Sequence, residues 1–205
     1  MTCGPKKDWK EYYQITKSRP PSPLLVEALK HVEKRGRVID IGGGALKDTR
    51  YLLSLGFDVT VIDQEPMMAI EAEALQCDRL HAFVTSFERF DFPKNTYDIA
   101  SAMYALPFSR SEIFSSVFDR IKASLVSGGI FCGQLFGDRD EWRADPTMTF
   151  HARKQAEDLL ADMDVLAFDE TEHDGKTATG IPKHWHVFNF IARRKHASDR
   201  GRRRS

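Results

Sequence analysis

An apolar run that leads through an acid into a glycine turn stands at Val38-Ile39-Asp40-Ile41-Gly42-Gly43-Gly44. The run predicts a buried strand, and the glycines let the turn approach a ligand where a side chain would collide. A helical pattern follows at residues 45–55, and Val59-Thr60-Val61-Ile62-Asp63 predicts a second strand that also ends in an acid. An acid at that place binds ribose hydroxyls in nucleotide-binding α/β sheets. The sequence therefore predicts a nucleoside site at the glycine turn and Asp63.

Length and composition limit the class of protein. The chain has 205 residues, which suits one domain, and its 30 basic and 30 acidic residues cancel, so overall charge indicates neither a nucleic-acid nor a membrane partner. Three cysteines, Cys3, Cys77 and Cys132, are far apart and lack the paired spacing of zinc sites, which predicts a reducing cytoplasm and no metal. We expect no secretory signal and no membrane span, because no apolar run is long enough.

Strands and helices alternate along the rest of the chain. After the opening unit, the sequence predicts a helix over 67–77, strands over 82–85 and 98–103, a helix over 111–125 closed by Ser127-Gly128-Gly129, and a strand over 130–136. This alternation is typical of a doubly wound parallel sheet with helices on both faces. Residues 165–168 and 185–192, joined by a polar loop without helical period, predict an antiparallel pair at the end.

The predicted organisation has three parts. Residues 1–23 contain aromatic and charged residues followed by a Pro-rich break, and they predict a lid or a packing segment. Residues 24–195 form the α/β domain. Residues 196–205 are rich in arginine and lack large apolar side chains, so we expect a disordered basic tail.

Several of these features together resemble the class I S-adenosylmethionine-dependent methyltransferases. They are Asp40, Gly42 and Gly44 after the first strand, Asp63 after the second, and the antiparallel last strand. The turn Leu125-Val126-Ser127-Gly128-Gly129 is similar to the Leu-Lys-Pro-Gly-Gly turn of that family. Three further phrases are similar to the branch that contains the tellurite-resistance methyltransferases: Tyr13-Gln14-Ile15-Thr16, Tyr97-Asp98-Ile99 and Lys183-His184-Trp185-His186. The resemblance implies a mostly parallel seven-stranded Rossmann-like sheet.

The sequence departs from the family pattern at two places, and a third segment bears on the acceptor. Leu46 replaces the third motif glycine, where its side chain would pack below the cofactor, and Ser127 replaces the usual proline. Residues 103–108 read Met-Tyr-Ala-Leu-Pro-Phe, whereas methyltransferases that act on amino groups of DNA bases have Asn/Asp-Pro-Pro-Tyr there. A DNA base is therefore disfavoured as the acceptor.

The resemblance implies a set of residues that bind S-adenosylmethionine. Gly42, Gly43 and Gly44 would line the methionine half, with Asp40 beneath the turn. Asp63 would accept the ribose hydroxyls, with Gln64 beside it. The remaining implied contacts are Ser86 or Phe87 at the adenine, Tyr104 near the sulfonium, and Tyr13 and Arg19 in a lid.

The acceptor side is less defined. His184 and His186 are candidate general bases with Tyr104 as the third catalytic candidate, although the commoner roles, in which one histidine packs in the sheet and the other caps it, are favoured for both. The loop with Asp138, Arg139, Asp140 and Trp142 either meets the substrate or is solvated. The predicted activity is methyl transfer to a small-molecule acceptor in the cytoplasm.

Two other interpretations remain open. An NAD-dependent dehydrogenase is disfavoured, because the third glycine of Gly-x-Gly-x-x-Gly is absent. A non-catalytic nucleoside- or RNA-binding module on the same fold could use the arginines of the tail to bind phosphates.

Overall fold

The structure, a computed structural model, describes residues 9–196, with only the backbone of Trp9 and Lys10. Cys3, most of the predicted basic tail and the start of the N-terminal segment lie outside the described residues. The helices are α1 (Trp9–Thr16), α2 (Pro23–Leu29), α3 (Lys47–Ser54), α4 (Met67–Glu73), α5 (Ser111–Ser124) and α6 (Arg153–Leu159). The strands are β1 (Arg37–Ile41), β2 (Asp58–Asp63), β3 (Leu80–Val84), β4 (Tyr97–Ala102), β5 (Leu125–Gly137), β6 (Phe150–His151), β7 (Met163–Lys176) and β8 (Pro182–Arg194).

The strands form one sheet in the order β3-β2-β1-β4-β5-β8-β7. Strands β1 to β5 pair in parallel, and β8 runs antiparallel to both β5 and β7. The two-residue β6 adds a short parallel pair at the end of β5. The predicted doubly wound, mostly parallel sheet with an antiparallel last strand is thus confirmed.

Helices cover both faces of the sheet, and the apolar run of β1 shows why. Ile39 and Ile41 belong to the core beside α5 and α6, whereas Val38 belongs to the core beside α2 and α3. Neighbouring side chains of a strand point to opposite faces, so a strand covered on both sides needs apolar residues without alternation. None of the described helices is long and apolar enough to cross a membrane.

The predicted glycine cap after α5 is wrong. The helix ends at Ser124, and β5 begins at the next residue, because Leu125 already adopts an extended conformation. Gly128 does have a positive φ of 80°, but it lies in an irregular part of β5. There Leu125 pairs with Tyr97 and Ile130 with Ile99, so the extra residues form a bulge rather than a turn.

The last two strands are longer than the sequence predicts, with 14 residues in β7 and 13 in β8. The polar half of β7 pairs with β8 as far as Lys176 and Pro182. Because β7 is the last strand of the sheet and much of it is exposed, it lacks the apolar pattern that marks a buried strand. The hairpin carries the start of β8 to the edge where β4 and β5 end.

Candidate functional site

The glycine turn after β1 is held by backbone hydrogen bonds. The N–H of Gly42 donates to the carbonyl of Ile62 (2.8 Å), and Gly42 and Gly44 have positive φ angles of 70° and 50°. A Cβ on Gly42 would lie 2.5 Å from the Cβ of Ala105, so the close approach of these two loops requires glycine. The turn therefore lies beside the segment that follows β4.

Asp63 at the end of β2 faces this turn. One carboxylate oxygen accepts the N–H of Gly44 and the other accepts the N–H of Glu65, both at 2.9 Å. Burial raises the pKa of Asp63, and these backbone donors act in the opposite direction. Each carboxylate oxygen has a second lone pair, so the group can also accept ligand hydroxyls.

Asp40 lies under the turn and has a different environment. It is 2% exposed, and the hydroxyl of Thr49 donates to it at 2.6 Å. Burial, with the nearby charge of Asp48, raises the pKa of Asp40 to about 7. The carboxyl group therefore anchors the start of α3 beneath the turn.

Leu46 replaces a glycine and keeps a glycine-like conformation. Its φ angle is 61°, and the residue precedes α3 directly. The side chain is fully buried in a cluster that also contains Tyr13, Val61, Met68 and Ala72. The missing third glycine is thus accommodated by packing below the turn.

The N-terminal segment covers the turn through Tyr12. A Cβ on Gly44 would lie 3.7 Å from a ring carbon of Tyr12. Burial raises the pKa of Tyr12, and the charges of Arg19 and Asp63 also act on the phenol. The predicted contact Tyr13 is 2% exposed and packs with Leu46, and the charge of Asp63 also acts on its phenol, so both tyrosines lie near Asp63.

Two contacts fix this segment in place. The N–H and the hydroxyl of Ser22 donate to Asp48 of α3 at 2.6 and 2.7 Å. The guanidinium of Arg19 donates to the carbonyl of Ala178 at 3.2 Å. Arg19 therefore joins the N-terminal segment to the tip of the β7–β8 hairpin.

Tyr104 follows β4 in a left-handed conformation with φ of 54°. Its N–H donates to the side-chain oxygen of Gln134 (3.0 Å), and the amide of Gln134 donates to Asn189 (3.2 Å). The residue is 45% exposed, and its ring centroid lies 5.9 Å from that of Trp185. Strands β4, β5 and β8 together hold this ring at the site.

A buried ion pair lies behind Trp185. The ammonium of Lys183 is 2.5 Å from the carboxylate of Asp140, and both side chains are at most 1% exposed. Nζ stands over the rings of Trp185, Trp142 and Phe136, at 3.8, 4.5 and 5.0 Å from their centroids. Burial lowers the pKa of Lys183, and Asp140 opposes that change. The pair ties the loop after β5 to the start of β8.

The two candidate histidines lie on the other face of β8. Trp185 stands between them, and neighbouring residues of a strand point to opposite faces. His186 is fully buried, with Nδ1 accepting the N–H of Arg139 (3.1 Å) and Nε2 2.8 Å from Glu170.

His184 contacts two carboxylates. Its Nδ1 lies 2.7 Å from Asp174 and its Nε2 3.2 Å from Glu172, and these groups raise the pKa of His184. Because a raised pKa favours the protonated ring, this environment disfavours a general base. Tyr104 contacts Trp185, and both histidines lie on the opposite face of β8. The structure therefore does not bring His184 or His186 to the ring of Tyr104.

Three further predicted contacts lie near the end of β3. Gln64 is exposed directly after Asp63, Ser86 is half-buried, and Phe87 packs against the main core. The described residues contain no group of three or more His, Cys, Asp or Glu placed to hold a metal ion.

Two grooves lie away from this edge. One, of about 230 Å³, is lined mainly by the α2–β1 connection and Phe57, and the other, of about 300 Å³, lies between α4 and β3. Neither lining includes the glycine turn, Asp63 or Tyr104. We therefore place the candidate site at the turn, where chemical groups converge, rather than in a groove.

Comparison with known proteins identifies a methyltransferase domain model that matches residues 38–129. TehB from Haemophilus influenzae has a TM-score of 0.71 and 19% identity over 83% of this chain and 61% of that protein. A 1,6-didemethyltoxoflavin-N1-methyltransferase from Burkholderia thailandensis has a TM-score of 0.66 and 18% identity, covering 94% and 93% of the two chains. An S-adenosylmethionine-dependent methyltransferase from Methanosarcina mazei has a TM-score of 0.67 and 17% identity, covering 87% and 100%. No curated protein sequence matches this chain.

These matches confirm the predicted Rossmann-like fold of the methyltransferases and identify a methyltransferase domain over residues 38–129. The solved structures support the fold, and the domain model covers the glycine turn, Asp63 and Tyr104. The resemblance to the branch with the tellurite-resistance methyltransferases is confirmed at the level of the fold. The chain spans 61% of the length of TehB.

Proposed function

We propose that this chain, whose residues 38–129 match a methyltransferase domain, transfers the methyl group of S-adenosylmethionine to a small-molecule acceptor. The observation that carries the proposal is the pairing of Asp63 with Gly44. Their 2.9 Å hydrogen bond places an acid that can accept ribose hydroxyls against a turn whose Gly42 has no room for a Cβ. A dehydrogenase is less well supported, and the RNA-binding alternative depends on a tail outside the described residues.

The turn and its surroundings fit the cofactor. Asp63 is partly exposed at the end of β2, and above Gly44 the nearest side-chain atom belongs to Tyr12. We assign the methionine half to Gly42–Gly44 above Asp40, and the ribose to Asp63 with Gln64. Ser86 and Phe87 are assigned to the adenine, Tyr104 to the neighbourhood of the sulfonium, and Tyr12 and Arg19 to the cover, with Tyr13 packed behind them. When bound, S-adenosylmethionine supplies an electrophilic methyl carbon on a sulfonium.

A small acceptor is supported by how the site is enclosed. Tyr12 and the contact between Arg19 and Ala178 cover one side, and Tyr104 and Trp185 stand on another. The Burkholderia neighbour is described with 1,6-didemethyltoxoflavin and S-adenosylhomocysteine bound, which is an example of this fold with a small acceptor. We further propose a cytoplasmic protein without a metal cofactor.

Catalysis in this proposal depends on positioning. Holding two reactants in a reactive geometry supplies roughly 7 to 11 kcal/mol of the barrier in favourable cases. The hydrogen bond from the backbone N–H of Tyr104 to Gln134 fixes the segment that carries the aromatic ring, and the buried pair of Lys183 and Asp140 packs against Trp185. His184 and His186 act here as parts of the sheet and its surface rather than as proton acceptors.

The test is production of S-adenosylhomocysteine with a panel of thiols, heteroaromatic amines, phenols and metalloid oxyanions. We expect turnover with at least one class, and loss of turnover in Asp63→Asn but not in Asp58→Asn, at the other end of β2. Methylation of a protein or an RNA with no turnover of any small acceptor would overturn the small-molecule proposal.

A further inference from the structure

Four partly exposed rings form a continuous surface beside the glycine turn. We refer to Tyr104, Phe108, Trp142 and Trp185 as the aromatic wall. Ring centroids lie 5.9 Å apart for Tyr104 and Trp185, 5.7 Å for Trp185 and Trp142, and 6.4 Å for Trp142 and Phe108. Contiguous exposed rings are typical of ligand-binding surfaces, whereas single exposed apolar residues are common everywhere.

The aromatic wall starts beside the glycine turn, where the methyl end of the proposed S-adenosylmethionine would lie. Ala105, the neighbour of Tyr104, packs so closely on the glycine turn that a Cβ at Gly42 would lie 2.5 Å from its own Cβ. A flat molecule that stacks on these rings would therefore lie next to the turn. Aromatic pairs prefer offset or edge-to-face contacts with centroids 4.5 to 7 Å apart, so partly exposed ring faces and edges suit a further ring.

A cationic ligand is disfavoured, because the protein supplies its own cation. The ammonium of Lys183 stands over the faces of Trp185 and Trp142 at 3.8 and 4.5 Å from their centroids. An aromatic cage that recognises a cationic ligand uses the same faces. Here the buried Lys183 already occupies one face of each ring, and its charge is balanced by Asp140 at 2.5 Å rather than by a ligand.

The acceptor atom must also carry a free lone pair. His184 and His186 lie on the face of β8 opposite Trp185, and their ring nitrogens contact carboxylates or the backbone of Arg139. A thiolate, an ionised oxygen or a ring nitrogen reacts without a general base, whereas a neutral alcohol does not.

We propose that the aromatic wall binds a planar aromatic or heteroaromatic acceptor that is neutral or anionic, and that the ion pair of Lys183 and Asp140 makes the wall select against cations. This inference rests on the proposed function and names the substrate class of the same site. Lys183 and Asp140 are positioning residues, since neither reaches the acceptor.

The test compares three ligands with the same ring and different charge: quinoline-2-carboxylate, quinoline and N-methylquinolinium. Binding to the full chain is measured by calorimetry and saturation-transfer NMR, with and without S-adenosylhomocysteine. We expect the neutral and anionic rings to bind about tenfold more tightly than the cation. In the double variant Lys183→Met/Asp140→Asn, which removes both charges of the pair, the preference should fall to about threefold or less.

Trp185→Leu should weaken binding of quinoline by about fivefold or more, because a stacking partner is lost. Phe83→Leu is the matched control, since Phe83 is 47% exposed on β3 at the other end of the sheet. Tyr104→Leu serves as a second wall variant if Trp185→Leu does not fold. Tighter binding of N-methylquinolinium than of quinoline, or no ring binding by a protein that binds S-adenosylhomocysteine, would overturn this inference. Failure of a folded protein to bind S-adenosylhomocysteine would instead overturn the proposed function.

Discussion

The two sides of the candidate site are held by different kinds of contact. On the glycine-turn side the backbone makes the contacts, from Gly42 to Ile62 and from Gly44 to Asp63. On the aromatic side, rings from three separate segments surround the buried pair of Lys183 and Asp140. A backbone site needs particular residues close together in sequence, whereas a side-chain site can draw them from anywhere in the chain. The first side is therefore visible in a local motif and the second is not.

The largest effect is expected on the aromatic side. Lys183→Met leaves Asp140 buried without its cation, and breaking such a pair typically costs about 3 to 5 kcal/mol of stability. The double variant Lys183→Met/Asp140→Asn should recover most of that loss, because no unpaired charge remains. Urea unfolding followed by circular dichroism measures both. Equal losses in the single and double variants would show that the charges themselves contribute little.

Asp40, on the glycine-turn side, should make the stability of the protein fall as pH rises. Its pKa of about 7 in the fold lies above the ordinary value of 3.8, so the folded state favours the protonated acid. The stability from this group is fully present below pH 3.8 and is lost as pH rises through 7. Relative to Asp40→Asn, the wild type should lose up to about 4 kcal/mol between pH 4 and pH 7. A difference between the two proteins that does not change with pH would contradict this.

His151, on the aromatic side, should make the stability of the protein fall as pH drops. Burial lowers the pKa of His151 to about 4 from 6.5, and its Nδ1 has no hydrogen-bond partner among the described residues. The stability from this group is fully present above pH 6.5 and falls as pH drops towards 4. The wild type should lose about 3 kcal/mol of stability as pH falls, and His151→Phe, which keeps a ring against Phe114, should not show this loss. Unfolding of the two proteins at pH 4.5 and pH 7 provides the comparison.

Gly42→Ala should affect stability and cofactor binding together. The new Cβ would meet Ala105 at 2.5 Å and would force a left-handed conformation, at a cost of about 2 to 3 kcal/mol. Gly180→Ala is the control, because Gly180 has a similar φ of 86° with nothing within 4 Å of the added Cβ. It should cost about 1 kcal/mol, from backbone conformation alone. Equal losses of stability in Gly42→Ala and Gly180→Ala would mean that the loops of Gly42 and Ala105 move apart easily.

The smallest effect is expected at His184. With any acceptor found by screening, His184→Asn should change the rate of methyl transfer by less than about threefold, whereas loss of a general base costs about 100-fold or more. Initial rates across pH 6 to 9 provide the measurement. A hundredfold loss, or loss of a rate inflection present in the wild type, would restore His184 as the base.

Sequence patterns predicted the sheet well because buried parallel strands need apolar runs, as residues 38–41 and 59–62 show. The helix end at Ser124 and the length of β7 were missed, because a bulge and a polar edge strand leave no regular pattern. Tyr12 and Tyr13 are adjacent in a helix, and only packing decides which one faces the turn. The ion pair between Lys183 and Asp140 spans 43 residues and has no local signature.

The central claim is that Gly42–Gly44 and Asp63 bind S-adenosylmethionine. The direct test is calorimetric titration of S-adenosylmethionine and S-adenosylhomocysteine into the wild type, Asp63→Ala and Asp58→Ala. Asp58 is a partly exposed acid at the start of the same strand. We expect micromolar binding of both ligands by the wild type and Asp58→Ala, and binding weakened about 100-fold in Asp63→Ala, because hydrogen bonds to a charged group contribute about 1.5 to 3 kcal/mol each. A folded wild type that binds neither ligand, or Asp63→Ala that binds as tightly as the wild type, would contradict the claim.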